Sequence, residues 1–307
     1  MSITPYTLHA ASLASPAIQI GQIQDSDVSP NVAEMLQRGD SQIDATAVAI
    51  DSIDPSISFT STMVATLIAN LGISGVPISS ATGFVGYLKK RSPGATYTSG
   101  STHTSLTVKK GVIVPVSLTA SLSSAAMSVV VHTSYDGTNL PIVKADSVAL
   151  PAISPLTKEM YVCGPAAIEG TAVGGVQSIT INFGLSVNGR RGDGKAFFEE
   201  VFIDARNPSV SIRTINAGLF GATALPLDGK AIALGTTKFW LTKCAEGATR
   251  VANATEEHIS FVINKGMATC QPLSVSDGGD AAFEIRITPV WNGTNDWAVI
   301  DTTAAIS

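Results

Sequence analysis

Charge is scarce in this chain. Asp, Glu, Lys and Arg make up 14% of its 307 residues, against about 25% in an average soluble domain. The missing charge is replaced by Ser, Thr, Ala and Gly. That composition excludes an intrinsically disordered chain, a coiled coil and a highly charged surface of the halophile kind. Basic residues are outnumbered, 19 against 24 acids, for a net charge of −5. Such a balance argues against wrapping nucleic acid and suits a surface that must not adhere to it. Cysteine is limited to Cys163, Cys244 and Cys270. An odd, scattered set without a CxxC pair predicts neither a disulfide framework nor a zinc site, but buried thiols in a reducing compartment. No apolar run approaches the roughly 18 residues that a membrane helix needs. The first residues, Met1-Ser2-Ile3-Thr4-Pro5, have neither a basic nor an apolar leader pattern, so no secretory signal is expected.

Signatures of catalysis are missing too. There is no GxSxG, HExxH, P-loop or GxGxxG. Of the four histidines, His103 and His258 each stand just before a strand pattern. They are read as accepting hydrogen bonds from the strand-entry backbone, not as ligands. No catalytic residue, metal ligand or cofactor-binding residue is expected, and the chain is read as a non-enzyme. A duplicated glycan hydrolase would need a pair of carboxylates in a cleft. Glu199-Glu200 and Glu256-Glu257 have no partners at equivalent positions. The basic clusters, Lys89-Lys90-Arg91 and Lys109-Lys110, lack interleaved aromatics and read as solvated or interface charge.

What the chain does have is an internal repeat. Arg38-Gly39-Asp40 recurs 153 residues later as Arg191-Gly192-Asp193. At the same spacing Val48, Ile50, Asp51, Pro55, Ser56 and Ser58 meet identical residues from Val201 to Ser211, so nine of the 23 positions in 38–60 are identical. The spacing grows to 155 where His103, Ser105, Val108 and Gly111 meet His258, Ser260, Ile263 and Gly266, and to 156 where Gly137-Thr138-Asn139 meets Gly293-Thr294-Asn295. A match that keeps its order along the chain, with drift confined to loops, predicts a tandem duplication of one fold. The expected domains are 1–155 and 156–307.

Each copy reads as β. Leu106 and Val108, Met127, Val129 and Val131, and Phe283, Ile285 and Ile287 alternate with period two. Asp136-Gly137 and Asn292-Gly293 are tight-turn dipeptides. Met63, Leu67, Ile68 and Leu71 fall on one helical face after possible caps at Thr60–Thr62, with Gly72 as the stop. Its counterpart near Ala217 carries Gly218 and is weaker. The expected fold class is mainly β: two tandem sandwich or barrel domains, each with a short flanking helix.

The Asp54-Pro55-Ser56-Ile57-Ser58-Phe59-Thr60 segment is followed by a short helix, a Lys-ended strand, a His-x-Ser strand and a Gly turn. That series resembles the major tail, or tail tube, proteins of tailed bacteriophages. The resemblance is a general pattern over most of the chain, with no short diagnostic motif. It implies rings stacked into a tube, and two domains per chain imply trimers that imitate hexamers. Implied partners are further copies of the chain, a tape-measure protein, tail-end proteins, and double-stranded DNA passing the lumen without specific binding. No membrane is implied, and the location would be the virion tail, after synthesis in the host bacterial cytoplasm. The polar segment Gln24 to Asp40 falls where that family places a long loop or hairpin touching the next ring, with a shorter copy at Asn182 to Asp193. Subunit or ring contacts are expected at Arg38, Gly39, Asp40, Arg191, Gly192 and Asp193. A capsid or decoration protein built from duplicated β-barrels is the alternative.

Overall fold

In a computed structural model the described residues are 6–14, 17–38, 44–45, 47–79, 83–91, 100, 102–151, 159–245, 249–274, 281–294 and 296–306. Gly39 and Asp40 lie outside them, as does most of the expected inter-domain boundary. The chain is mainly β, in several antiparallel sheets with one α-helix.

Residues up to 148 form β1 (Tyr6–Ala14), β2 (Ala17–Ile20), β3 (Ile23–Ser29), β4 (Val32–Gln37), β5 (Ala47–Ile53), β6 (Ser56–Ser61), α1 (Val64–Leu71), β7 (Val76–Ile78), β8 (Phe84–Lys90), β9 (His103–Val108), β10 (Gly111–Ser121), β11 (Ala125–Thr133) and β12 (Val143–Val148). From 161 onward come β13 (Tyr161–Ile168), β14 (Thr171–Val173), β15 (Val176–Asn182), β16 (Leu185–Arg190), β17 (Glu200–Arg206), β18 (Ser209–Thr214), a 3-10 turn (Ala217–Leu219), β19 (Lys230–Ile232), β20 (Thr237–Lys243), β21 (His258–Ile263), β22 (Gly266–Cys270), β23 (Phe283–Pro289) and β24 (Ala298–Ala304).

The strand order of the first half recurs in the second. One small sheet runs β12-β9-β8-β1-β2, and the other runs β24-β21-β20-β13-β14. Within the ten-stranded sheet, β7-β10-β11-β6-β3 is matched by β19-β22-β23-β18-β15. Small-sheet and large-sheet strands of a half face each other across the core, as the stacked rings of Phe59 on β6 and Phe84 on β8 show, with centroids 6.1 Å apart. The alternation in sequence decides the faces. Ile57, Phe59, Met127, Val129 and Val131 point inward and are buried, while Ser58, Thr60, Ser128 and Val130 lie on the outer face. The second half does the same with Ile179, Ile181, Val210, Ile212, Ile285 and Ile287.

Local devices recur as well. His103 Nδ1 accepts the Lys90 N–H at 3.1 Å, and His258 Nδ1 accepts that of Lys243 at 3.1 Å. Both histidines therefore hold the backbone at the end of a neighbouring strand, β8 or β20, whereas the sequence reading placed the bond at the entry of the following strand. Ser61 Oγ donates to Gly21 O and accepts from Met63 N, and Thr214 Oγ1 does the same for Gly174 O and Asn216 N. Gly111 and Gly266 open β10 and β22 at φ of 152° and 157°. A Cβ there would lie 2.0 Å from His132 O or 2.4 Å from Thr288 O, so only glycine lets the paired strand approach. Asp136 turns the chain by accepting the N–H groups of Asn139 and Thr138. The Asn139 N–H bond, foremost, holds its carboxyl down to about 2.

Three details differ from the sequence reading. The second half has no α-helix among the described residues where a flanking helix was expected, only the 3-10 turn Ala217–Leu219 with Gly218 inside it. The helix α1 starts at Val64, and no Thr60–Thr62 side chain caps it. The N–H groups of its second and third residues go to the Glu159 carboxylate, 2.8 Å from Ala65 N and 3.2 Å from Thr66 N. The polar segment from Gln24, where a long loop or hairpin was expected, forms β3 at the edge of the large sheet and then the first strand of the β4–β5 hairpin. Its counterpart is not shorter: β16–β17 spans the same length in the same register, with the same irregularity after its second residue.

Candidate assembly interface

The most informative site is the seam between the halves. There β10 receives β15 on one edge, pairing Ser117 with Asn182, Thr119 with Thr180 and Ser121 with Ser178. This ladder makes the large sheet continuous. On its outer face the strands carry short hydroxyl side chains in rows, because period-two alternation assigns Ser and Thr to water and Ile and Val to the core.

The β16–β17 hairpin then folds back over the first half. Its tip residues lay backbone against β5 and the end of β11. Ile53 N donates to Ala196 O at 2.9 Å, and Tyr135 N donates to Phe198 O at 2.7 Å. The Phe197 ring stacks on Tyr135 with centroids 6.4 Å apart. Lys110 Nζ donates to Glu199 O at 2.6 Å. Lys195 also pairs with the Glu199 side chain, which holds the lysine ammonium above its ordinary range. On the strand itself, Ile203 reaches Gly75, where a Cβ would meet its Cδ1 at 3.4 Å and Ile113 O at 2.8 Å. Gly75 thus leaves the groove that a neighbouring isoleucine fills.

The six residues of the two Arg-Gly-Asp triplets are placed unequally. Arg191 bridges the seam: its guanidinium donates to Asp51 O, stands 3.6 Å from the Asp51 carboxylate and covers the Phe198 ring at 5.7 Å. Gly192 lies against Glu199, since a Cβ there would meet the carboxylate at 3.1 Å. Asp193, with Gly194, makes the turn at positive φ and is exposed. Arg38, at the end of β4, is exposed and forms no ion pair among the described residues. The sequence reading missed Tyr135, Phe197, Phe198 and Ile203 at this seam. A signal existed: two adjacent phenylalanines in a chain with only 6% aromatics.

Each surface used at the seam has a counterpart that is open. Trp291, at the position of Tyr135, is 68% exposed. It lines a cavity of about 680 Å3 with Arg206, Asn207, Pro208 and Asp296. Arg206, Asn207 and Pro208 match Ile53, Asp54 and Pro55, the place where the Phe197 segment sits in the first half. Arg206 pairs with Asp296 at 3.3 Å.

Among the described residues no group of three His, Cys, Asp or Glu side chains is placed to hold a metal ion. The cysteines are free; Cys163 is buried, which pushes its thiol up, but Cys244 and Cys270 are only partly covered, against the expectation of three buried thiols. No helix is long and apolar enough to cross a membrane among the described residues. No protein-family model matches the chain, and no curated protein matches it.

Proposed function

We propose that this chain is a structural protein that closes into rings, three chains to a ring, and that the rings stack into a phage tail tube. The observation that carries the reading is the seam. Two halves of like strand order join edge to edge through β10 and β15, and the equivalent edges at the far ends stay open. Among the described residues β3 pairs with no strand but β6. The stretch 271–274, which continues β22, is bonded on one side to β23 and, among the described residues, to no strand on the other. Adding β3 of a second copy to that stretch repeats the internal joint. A joint that repeats head to tail with a fixed rotation closes a ring.

The repeated strand order supports descent of the halves from one duplicated unit, and three such chains would give six similar units per ring. The outer face of the large sheet suits a wall that DNA slides past. Ser58, Thr60, Thr119, Ser128, Thr180 and Ser211 are neutral, and Asp25, Asp27 and Glu284 offset Arg213 and Arg286 on the same face. Few fixed cations means little multivalent grip on phosphates.

Negative-stain microscopy of the purified chain is the test. Rings with three-fold symmetry and near-six-fold density, stacking into tubes, support the reading. Closed shells would favour the capsid alternative, and a chain that stays monomeric at all concentrations would refute both.

A further inference from the structure

We infer that the exposed β4–β5 hairpin is a docking arm for a second copy of this chain, seating on the neighbour's second half as β16–β17 seats on the first half of its own. This rests on the ring reading and gives that ring its residues. It also turns the hairpin sideways, into the ring, where the family resemblance had it touching the next ring.

The arm is built like the seated hairpin. From Val32–Ile53 to Gln37–Ala47 its register matches that from Leu185–Arg206 to Arg190–Glu200. Its environment differs. Leu36, Val48 and Ile50 are 62%, 64% and 57% exposed, whereas Ile203, the counterpart of Ile50, is partly covered against Gly75. An apolar hairpin standing in water is a surface awaiting cover.

The seat is equally prepared. The counterpart of Gly75 is Gly229, again flanked by the paired strand: a Cβ there would lie 3.2 Å from Ala268 O and 3.2 Å from Met267 Sδ. Met267 is 44% exposed, so an isoleucine has both a notch and an apolar neighbour to enter. Trp291 and the cavity beside it are open on the same half. Lys265, the counterpart of Lys110, is exposed.

Charge completes the match. Within the chain Arg191 pairs with Asp51. The same spacing of 153 residues makes Arg38 the counterpart of Arg191 and Asp204 the counterpart of Asp51. Both are exposed; Asp204 is bound by Asn188 Nδ2 at 2.9 Å and by no cation among the described residues. Arg38 of one copy and Asp204 of its neighbour form the missing pair.

Full-length Arg38→Asp, Asp204→Arg and the double variant test this, with assembly followed by light scattering and microscopy and folding checked by circular dichroism. Each single reversal sets like charges together and should weaken association by roughly tenfold or more, since every joint of the ring is hit. The double variant should recover to within about threefold of wild type. Ile50→Asp should also weaken association, with no loss of monomer folding. If wild type forms rings and the single variants match it, or the double variant stays as weak as the singles, the docking arm is wrong while the ring stands. If wild type never associates, both fall.

Discussion

Replacing Gly111 by alanine attacks the one backbone position that lets β10 and β11 pair. At φ of 152° a side chain is strained by about 1–3 kcal/mol. The new Cβ would also sit 2.0 Å from His132 O and 3.0 Å from Thr133 Cα. That overlap is with backbone, so relief means opening the Gly111–Thr133 end of the ladder. The ladder bonds given up are worth about 1 kcal/mol each. Together the loss should be about 4 kcal/mol, a large share of the 5–15 kcal/mol typical of a folded domain. Gly266→Ala should behave alike, with its Cβ 2.4 Å from Thr288 O. Gly137→Ala is the control: φ is 96° but nothing lies within 4 Å, so only strain is added. Urea unfolding of the three variants measures the difference. If Gly111→Ala loses no more stability than Gly137→Ala, steric exclusion at that strand entry is refuted.

Two further outcomes follow from the side chains. Glu159→Gln removes the carboxylate that caps α1 across 93–94 residues of chain and should cost about 1 kcal/mol in urea unfolding, mostly through weaker bonds to Ala65 and Thr66 N–H. Acid should destabilise the fold before carboxylates titrate. His9 and His132 are both held below 6.5, chiefly by burial. Their folded pKa values are depressed, so their contribution is complete above pH 6.5 and is lost as pH falls through the folded values. Asp54 runs the other way, because burial raises its carboxyl above 3.8 and its contribution fades as pH rises through that raised value. The urea midpoint should fall between pH 7 and pH 5, and His132→Gln should flatten that slope.

The core was readable from the sequence because its chemistry is periodic. Alternation located β9, β11 and β23, and the paired residues His103 and His258 marked two strand entries whose hydrogen bonds came out alike. The first hairpin was not readable from alternation. β16 does alternate, with Leu185 and Val187 against Ser186, Asn188 and Arg190, but β4 is exposed along its whole length and Glu34 breaks its pattern. A strand whose two faces both meet water leaves no period-two trace. The seam was hidden for another reason. Ser117 to Ser121 alternate in the same way whether their edge meets water or β15, because edge pairing uses main-chain groups that all residues share. Of the triplets, sequence identity picked out Arg191, but only the fold showed that its partner is Asp51 and that phenylalanines do the packing.

An open strand edge needs protection against the wrong partner, and β3 has it. Asp25 and Asp27 stand beside Thr60 and Ser58 on the outer face, one strand from water. Two β3 edges meeting antiparallel would bring these carboxylates of both copies together, and like charges opposed across a ladder are destabilising. The edge at 271–274 offers no such repulsion: by the spacing of the repeat Ser274 would lie opposite Asp27, where a hydroxyl can donate to the carboxylate. Inside the chain the same place is held by Thr119 opposite Thr180. The substitution of acids for hydroxyls on β3 therefore costs little in the head-to-tail joint and penalises the two-fold one. Asp25→Ser with Asp27→Thr, which copies β15 onto β3, should leave the head-to-tail joint intact and admit two-fold dimers as a new species. Analytical ultracentrifugation reads the two directly, and a double variant that assembles only as wild type does would show that these acids do not select the partner.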